Sequence, residues 1–350
     1  MKIRKKLYNN ESAVSVIVGT LALILVVVVG VVAVATILGT FSSDVSKQTG
    51  TSSSVIATKT TLNVAGSDNM DFLTRSLADS YSEENPSVRI KSGIIVPNGV
   101  IPAIISQSID VGALAGNIKS SDLAKNPNVQ AKQIGSSAVV VITNTATPGV
   151  ISITTPIAYA DLVSFFTVNT IGGNIKAGAK AVARSDNSAI ADIFYQKFLG
   201  TTTLTAIPGG APAQSGDAKV ISYVASTENA IGFADYGDVK TAISNGEQNI
   251  SIISINDNSQ TYNSNTLSYG NISTAARYNY RSTARNADGS FVWTGNQTDV
   301  REYNLSLICP LYYVTKGNPN VVENGFLGYA TSPAARSAFI QTNTFSVADF

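Results

Sequence analysis

The side chains that usually do covalent chemistry are scarce in this sequence. Its 350 residues include no histidine and one cysteine, Cys309, which lies in the apolar run from Leu305 to Leu311. The chain therefore lacks the residues that zinc sites, Ser/His or Cys/His catalysis and disulfide frameworks require. We expect Cys309 to be a buried small hydrophobe, with a reactive thiol as the alternative. No glycine-rich phosphate loop or dinucleotide fingerprint is present. The residue types predict a protein that is not an enzyme and needs no metal or cofactor, although they leave open an extracellular hydrolase using paired carboxylates.

The composition indicates an exported protein that does not bind nucleic acid. Hydrophobic residues make up 44% of the chain and charged residues only 13%, against about 25% charged residues in a typical soluble domain. Neutral polar side chains must then supply the polarity of the surface. The net charge of +1 is not backed by a basic stripe, which binding to a phosphate backbone would require.

The N-terminal region predicts a membrane anchor. No charged residue occurs between Ser12 and Ser43, and as a helix this run would extend about 48 Å, more than the roughly 30 Å hydrocarbon core of a bilayer. Basic residues cluster before it, between Lys2 and Lys6. The positive-inside rule therefore places the N-terminus in the cytoplasm and the C-terminal part of the chain outside the cell.

Two interpretations of this anchor stay open. The segment Ala13-Val14-Ser15-Val16-Ile17-Val18-Gly19-Thr20 resembles the N-terminus of archaeal type IV pilin-like proteins, whose signal is cleaved before a retained apolar helix, although Val16 stands where that motif commonly has proline. The alternative is an uncleaved single-pass anchor. We divide the region into a basic signal segment (1–12), a transmembrane or pilin-like helix (13–41) and a Ser/Thr-rich stalk (42–61).

The remaining residues predict an α/β domain, because short apolar runs alternate with amphipathic stretches. Strands are expected at Leu62–Ala65, Val88–Lys91, Asp110–Leu114, Ala138–Thr143, Ala181–Ala183 and Gly232–Ala234. Helices are expected at Met70–Glu84, Gly99–Ser108, Tyr159–Phe166 and Ser188–Leu199. In open sheets of this kind, ligands bind beyond the carboxyl ends of the strands, where helix N-termini present free N–H groups.

The order of motifs from Thr61 to Phe350 resembles the phosphate-type substrate-binding proteins of ABC importers. The matching segments are Gly66-Ser67, Ile134–Val141, Arg184-Ser185-Asp186-Asn187-Ser188, Ala230–Gly237, Tyr303–Tyr312 and Phe326–Pro333. The resemblance implies a two-lobed type II periplasmic-binding-protein fold. Its expected parts are the first part of lobe 1 (62–140), lobe 2 (141–260) and a return to lobe 1 (261–350).

The same resemblance implies a ligand site and partners. Ser67, Asn98 and Gly99 would offer a hydroxyl and amides from one lobe, and Arg184 with Ser188 would close over the ligand from the other. The ligand would be phosphate or a similar small oxyanion, and the partners would be the membrane subunits of an ABC importer. Capping explains Ser67, Asn98 and Ser188 equally well, and Arg184 could instead form a surface ion pair.

Two positions depart from the phosphate-binding pattern. Ala115 stands where we align the acidic residue after the third strand, and Ser188-Ala189-Ile190 replaces the Ser-Gly-Thr of the family. An oxyanion stays the first expectation for the ligand, and these two departures count against phosphate in particular. The competing hypothesis is a filament subunit or adhesin that self-assembles through its N-terminal helix and carries a binding-protein-like outer domain.

Overall fold

The computed structural model describes residues 60–146, 156–175, 177–200, 207, 209–256, 269–281 and 305–350. The predicted signal segment, the predicted anchor helix and all but the last two residues of the predicted stalk lie outside these ranges and stay predictions. Within the described ranges, no helix has the length and apolarity needed to cross a bilayer.

The first lobe is built on parallel strands covered by helices. Strand β1 pairs in parallel with β2 on one side and with β3 on the other. The elements are β1 (Thr60–Gly66), α1 (Asp71–Glu84), β2 (Val88–Ile94), α2 (Pro97–Ile105), β3 (Val111–Ala115) and α3 (Ser120–Lys125). Helix α1 buries Leu73, Leu77 and Tyr81, and their four-residue spacing places them on one face of the helix against the sheet.

One long strand passes from the first lobe into the second. Strand β4 (Val129–Asn144) pairs antiparallel with β11 (Ile308–Lys316) up to Ala138, and with β8 (Ala230–Asp235) from Val139 onward. Its residues from Ala138 to Ile142 are at most 1% exposed, as expected for a β-branched run with helices on both faces. Since β11 also pairs with β3, β4 and β11 are the two strands that bring the chain out of lobe 1 and back into it.

The second lobe continues the same sheet. Strand β6 (Lys180–Arg184) pairs in parallel with β7 (Ala211–Gln214) and with β8, so that the strands of the main sheet follow the order β2-β1-β3-β11-β4-β8-β6-β7. The further elements of this lobe are α4 (Tyr159–Val168), β6 (Lys180–Arg184), α5 (Ala189–Leu199), β7 (Ala211–Gln214), α6 (Asp217–Ser226), α7 (Tyr236–Ser244) and β9 (Ile250–Ile253). Its core includes Phe194 stacked on Phe233, with ring centroids 3.8 Å apart.

The other elements complete the two lobes. They are β5 (Ile157–Ala158), β10 (Ile255–Asn256), α8 (Tyr269–Arg281), α9 (Val321–Ala330), α10 (Arg336–Gln341) and β12 (Phe345–Ser346). Helix α9 begins at a capping box in which Asn320 and Glu323 each bond the backbone N–H of the other.

The predicted α/β elements are confirmed, with shifts at their ends. Helix α2 begins at Pro97 and not at Gly99, because proline is well suited to the first turn of a helix, where its missing N–H has no intrahelical partner. The predicted strand at Ala138–Thr143 is the second half of the longer β4. Cys309 is 1% exposed in β11, which confirms its prediction as a buried hydrophobe.

Candidate functional site

A cleft of about 420 Å³ lies between the two lobes, at the carboxyl ends of their strands. Lobe 1 contributes Asp68, from the turn after β1, and the segment 94–98, which leads into α2. Lobe 2 contributes the loop 186–188 before α5. Helices α2 and α5 both begin at this cleft, and the first N–H groups of a helix have no acceptor one turn earlier within it. Here Pro97 has no N–H, the N–H of Gly99 donates to Val96 O, and that of Ala191 donates to Ser188 Oγ. Ile94 and Val96 add an apolar wall that is 56% and 73% exposed.

Two of the predicted ligand residues, Asn98 and Ser188, line this cleft from opposite lobes. Asn98 is exposed on the first turn of α2. Ser188 is 2% exposed and caps α5, where its Oγ accepts a hydrogen bond from Ala191 N at 3.2 Å. The capping interpretation of Ser188 therefore holds, and its position at the cleft is compatible with ligand binding as well.

Ser67 and Gly99 lie beside the cleft, and their polar groups are engaged within the protein. The Oγ of Ser67 accepts a hydrogen bond from Ala115 N at 3.1 Å and donates to Ala113 O at 3.4 Å. The hydroxyl thus ties the end of β1 to the end of β3. The N–H of Gly99 donates to Val96 O at 2.8 Å in the turn that opens α2.

Arg184 lies at the end of β6 and is 1% exposed. Its Nε and Nη2 donate to the two carboxylate oxygens of Asp186 at 3.0 and 2.6 Å. Its Nη1 and Nη2 donate to the two carboxylate oxygens of Asp217 at 2.5 and 3.4 Å. A guanidinium offers planar two-donor faces that match a carboxylate. Two such faces of Arg184 are occupied by the protein's own acids.

Asp217, the first residue of α6, holds three groups at one carboxylate. Besides Arg184, it accepts a hydrogen bond from the backbone N–H of Asp235 at 2.7 Å and one from Nδ2 of Asn69 at 2.8 Å. Asn69 belongs to lobe 1, in the short 3-10 turn after β1, whereas the other three residues belong to lobe 2. Because Asn69 and Arg184 bond the same carboxylate, Asp217 links the two lobes. It is 5% exposed and lies behind the cleft.

The electrostatics of the site follow from these contacts. Burial acts to lower the pKa of Arg184, but the charges of Asp217 and Asp186 outweigh it and raise that pKa. Burial acts to raise the pKa of Asp186, but its hydrogen bond to Arg184 and the charge there hold it below its usual value. The pKa of Asp68 is raised, mainly by burial. Burial and the charge of Asp217 raise the pKa of Asp235 to about 7. The single guanidinium is thus surrounded by more carboxylates than it can neutralise.

A second cavity of about 620 Å³ adjoins the first and shares Pro97, Asn98 and Asn187 with it. Ala115, which we aligned with the acidic position of phosphate binders, lines this second cavity and not the first. The two lobes come into close contact next to Ala115. Gly116 has a φ of +94°, and a Cβ added there would lie 2.8 Å from the Cβ of Ala189.

The sequence reasoning did not single out Asp68, Asn69 or Asp217. Asp68 and Asn69 stand in the predicted turn after β1, so their place near the cleft was implicit in that turn. Asp217 follows Gly216 at a helix start, where an acidic residue is ordinarily explained by the helix dipole. Its pairing with Arg184 has no local signal in the sequence.

Known proteins share this architecture. A family model described as a PBP superfamily domain matches residues 51–334. Similar solved structures include an ABC-type phosphate transport receptor from Vibrio cholerae, with 13% identity over 82% of this chain and 100% of that chain and a TM-score of 0.56. PstS from Borrelia burgdorferi has 13% identity over 82% and 98% of the two chains and a TM-score of 0.53.

A Clostridium perfringens protein assigned as a phosphate ABC transporter substrate-binding protein, with bound phosphate, has 14% identity over 82% of this chain and 99% of that chain and a TM-score of 0.58. Among proteins with curated functions, none matches the sequence significantly. The solved structures establish the two-lobed α/β fold. Because the family model covers well over half of the chain, the protein belongs to the PBP (periplasmic-binding-protein) superfamily.

Proposed function

We propose that this protein is a cell-surface solute-binding protein that captures a small oxyanion, with phosphate as the first candidate, and delivers it to an ABC importer. The observation that carries the proposal is the cleft itself. Asn98 and Ser188 approach from opposite lobes at the starts of two helices, and helix starts bind anions through their N–H groups. Capture and release in such a cleft require no bond to be made or broken, so the proposal includes no catalytic residue.

The groups around the cleft favour a protonated oxyanion. Arg184 is already compensated by Asp186 and Asp217, so the donors left to a ligand are neutral groups such as the side-chain amides of Asn98 and Asn187, which line the cleft. A carboxylate in the cleft repels a fully ionised oxyanion but accepts a hydrogen bond from a protonated one. Asp68 lines the cleft and is in a position to play this part. This supports hydrogen phosphate over sulfate, even though Ala115 cannot provide such an acceptor.

Attachment to the membrane belongs to the same proposal and rests on the sequence of residues 1–43. The uncharged run and the preceding basic cluster favour a single N-terminal span with the binding domain outside the cell. The filament or adhesin hypothesis depends on the same residues and on self-assembly through them. No observation on the described residues favours it over solute capture.

The test is calorimetric titration of the purified full chain with phosphate, sulfate and molybdate, together with the variant Asp68→Asn. We expect the parent to bind phosphate more tightly than sulfate, and the variant to lose most of that preference. Asp79→Asn is the matched control, because Asp79 is exposed on α1 and does not line the cleft. It should keep the parental preference.

Failure of the parent to bind any of the three anions would refute oxyanion capture. Binding of phosphate and sulfate with a ratio that Asp68→Asn leaves unchanged would keep the function but refute the role of Asp68.

A further inference from the structure

We propose that the carboxylate of Asp217 is an internal anion that occupies a ready-made anion subsite formed by Arg184, Asn69 and the backbone N–H of Asp235. The inference rests on the proposed function only in that this subsite lies behind the same cleft. In the present arrangement, a solute in the cleft meets Asp186 and Ser188, while Asp217 holds the two-donor face of Arg184 that an anion would otherwise use.

The set of donors around Asp217 is the first support. Its two oxygens accept from a guanidinium, a side-chain amide and a backbone N–H, with three of the four contacts between 2.5 and 2.8 Å. Charge-assisted donors of these kinds, converging from separate elements, are the donors that proteins use for carboxylate and phosphate ligands. The carboxylate is 5% exposed, so solvent does little to screen it.

The link between the lobes is the second support. An ion pair that served only lobe 2 would need Arg184 and Asp217 alone. Here Nδ2 of Asn69 reaches Asp217 from lobe 1, across 148 positions of sequence. In this orientation the buried Oδ1 of Asn69 makes no hydrogen bond to the described residues. Leaving an amide oxygen unsatisfied costs free energy, so the bond to Asp217 is what sets the orientation of the amide. Asp217 therefore bridges the lobes in the way that a bound anion would.

Two consequences follow for the site. The charge of Arg184 is withheld from the solute for as long as Asp217 stays in place, which makes Asp217 a residue that limits the charge of the ligand. The bridge to Asn69 also favours the approach of the lobes in the absence of solute. Both consequences depend on the carboxylate group and not on the backbone of α6.

Chemical rescue tests the inference directly. In Asp217→Ala the missing group has the size of formate, and we expect sodium formate to raise the thermal unfolding temperature of the full-length variant in a saturable way, relative to sodium chloride at equal ionic strength. The parent should show no such formate-specific rise. Asp349→Ala is the matched control, since it removes the carboxylate partner of Arg336 at an exposed ion pair and leaves no enclosed site. If Asp217→Ala folds only when formate is present during refolding, that result also supports the subsite.

A second variant keeps the inference open to refutation if Asp217→Ala does not fold under any condition. Asp217→Asn preserves the size of the side chain and an acceptor oxygen but removes the charge. We expect inorganic phosphate to bind this full-length variant about tenfold more tightly than it binds the parent, which corresponds to about 1.4 kcal/mol. Equal phosphate affinity in the parent and Asp217→Asn would overturn the inference, and so would the absence of any formate effect on a folded Asp217→Ala. Absence of phosphate binding in the parent alone would count against the proposed function and not against the internal anion.

Discussion

Replacing Arg184 by methionine tests whether the buried ion pairs of the site are formed as described. The side chain of Arg184 is 0% exposed, and its carboxylate partners Asp186 and Asp217 are 16% and 4% exposed. Methionine fills much of the volume of the arginine stem but leaves both carboxylates without their cation. Removing one partner of a buried ion pair costs about 3–5 kcal/mol. At about 2 °C per kcal/mol for a domain of this size, we expect the thermal unfolding temperature to fall by about 6–10 °C at pH 7.5.

The pH dependence adds a second readout to the same experiment. In the parent, the pKa of Asp186 is lowered despite burial because of Arg184. Its contribution to stability is therefore present above the ordinary carboxyl pKa and is lost as the pH falls through the lowered value. Arg184→Met removes the hydrogen bond and the charge that do most to lower the pKa of Asp186, while burial and the hydrogen bonds from Gly216 and Ser188 stay. The pKa of Asp186 should therefore be higher in the variant than in the parent. The stability deficit of the variant should consequently be larger at pH 7.5 than at pH 5.

Arg336→Met is the control for this prediction. Arg336 pairs with Asp349 at the surface, with side chains 54% and 30% exposed, and such pairs contribute about 0–1 kcal/mol. Differential scanning calorimetry of the parent and both variants at the two pH values provides the measurement. Equal losses for Arg184→Met and Arg336→Met, or a deficit that grows towards pH 5, would refute the buried arrangement of Arg184.

Two further predictions concern other groups near the cleft. Burial and the charge of Asp217 raise the pKa of Asp235 in the folded protein from 3.8 to about 7, so ionisation of this group lowers the stability of the parent as the pH rises between those values. Asp235→Asn should remove that loss. The unfolding temperature of the variant relative to the parent should therefore be higher at pH 8 than at pH 5. Gly116→Ala should weaken phosphate binding in calorimetry more than Gly246→Ala does. Both glycines have φ near +100°, but only at Gly116 would the new Cβ meet a residue of the other lobe, Ala189, at 2.8 Å. Equal losses of phosphate affinity in the two variants would show that this contact between the lobes does not matter for binding.

Much of the fold could be predicted because its elements leave local patterns. The β-branched run from Ala138 to Thr143 has the composition of a strand buried on both faces, and it forms half of β4. Gly200 ends α5 with a φ of 64°, as expected of a glycine that follows the last turn of a helix. Strand β4 begins at Val129 and not at Ala138, and α2 begins at Pro97 and not at Gly99, because pairing partners and caps fix these limits and an apolar run alone does not.

The site was less predictable because its decisive contacts join distant parts of the chain. Ser67, Asn98 and Ser188 were predicted from the resemblance to phosphate-type binding proteins and from their place at predicted helix starts. Which polar atoms of Ser67 remain free depends on β3, since Ala113 and Ala115 take both hydrogen bonds of its hydroxyl. No spacing rule in the sequence reports such a contact. The same limitation applies to Asp217, which is separated from Asn69 by 148 positions and from Arg184 by 33.

The position of Asp68 changes how the departure at Ala115 is understood. A carboxylate acceptor at the end of β3 is missing, but one from the end of β1 lines the cleft instead. The two turns are neighbours, because β1 pairs with β3 and Ser67 bonds to both Ala113 and Ala115. An acid that moves from one turn to the other approaches the ligand from a different side, although it can accept the same kind of proton. The selectivity that we propose for a protonated oxyanion therefore depends on a carboxylate at this edge of the sheet and not on the strand that carries it.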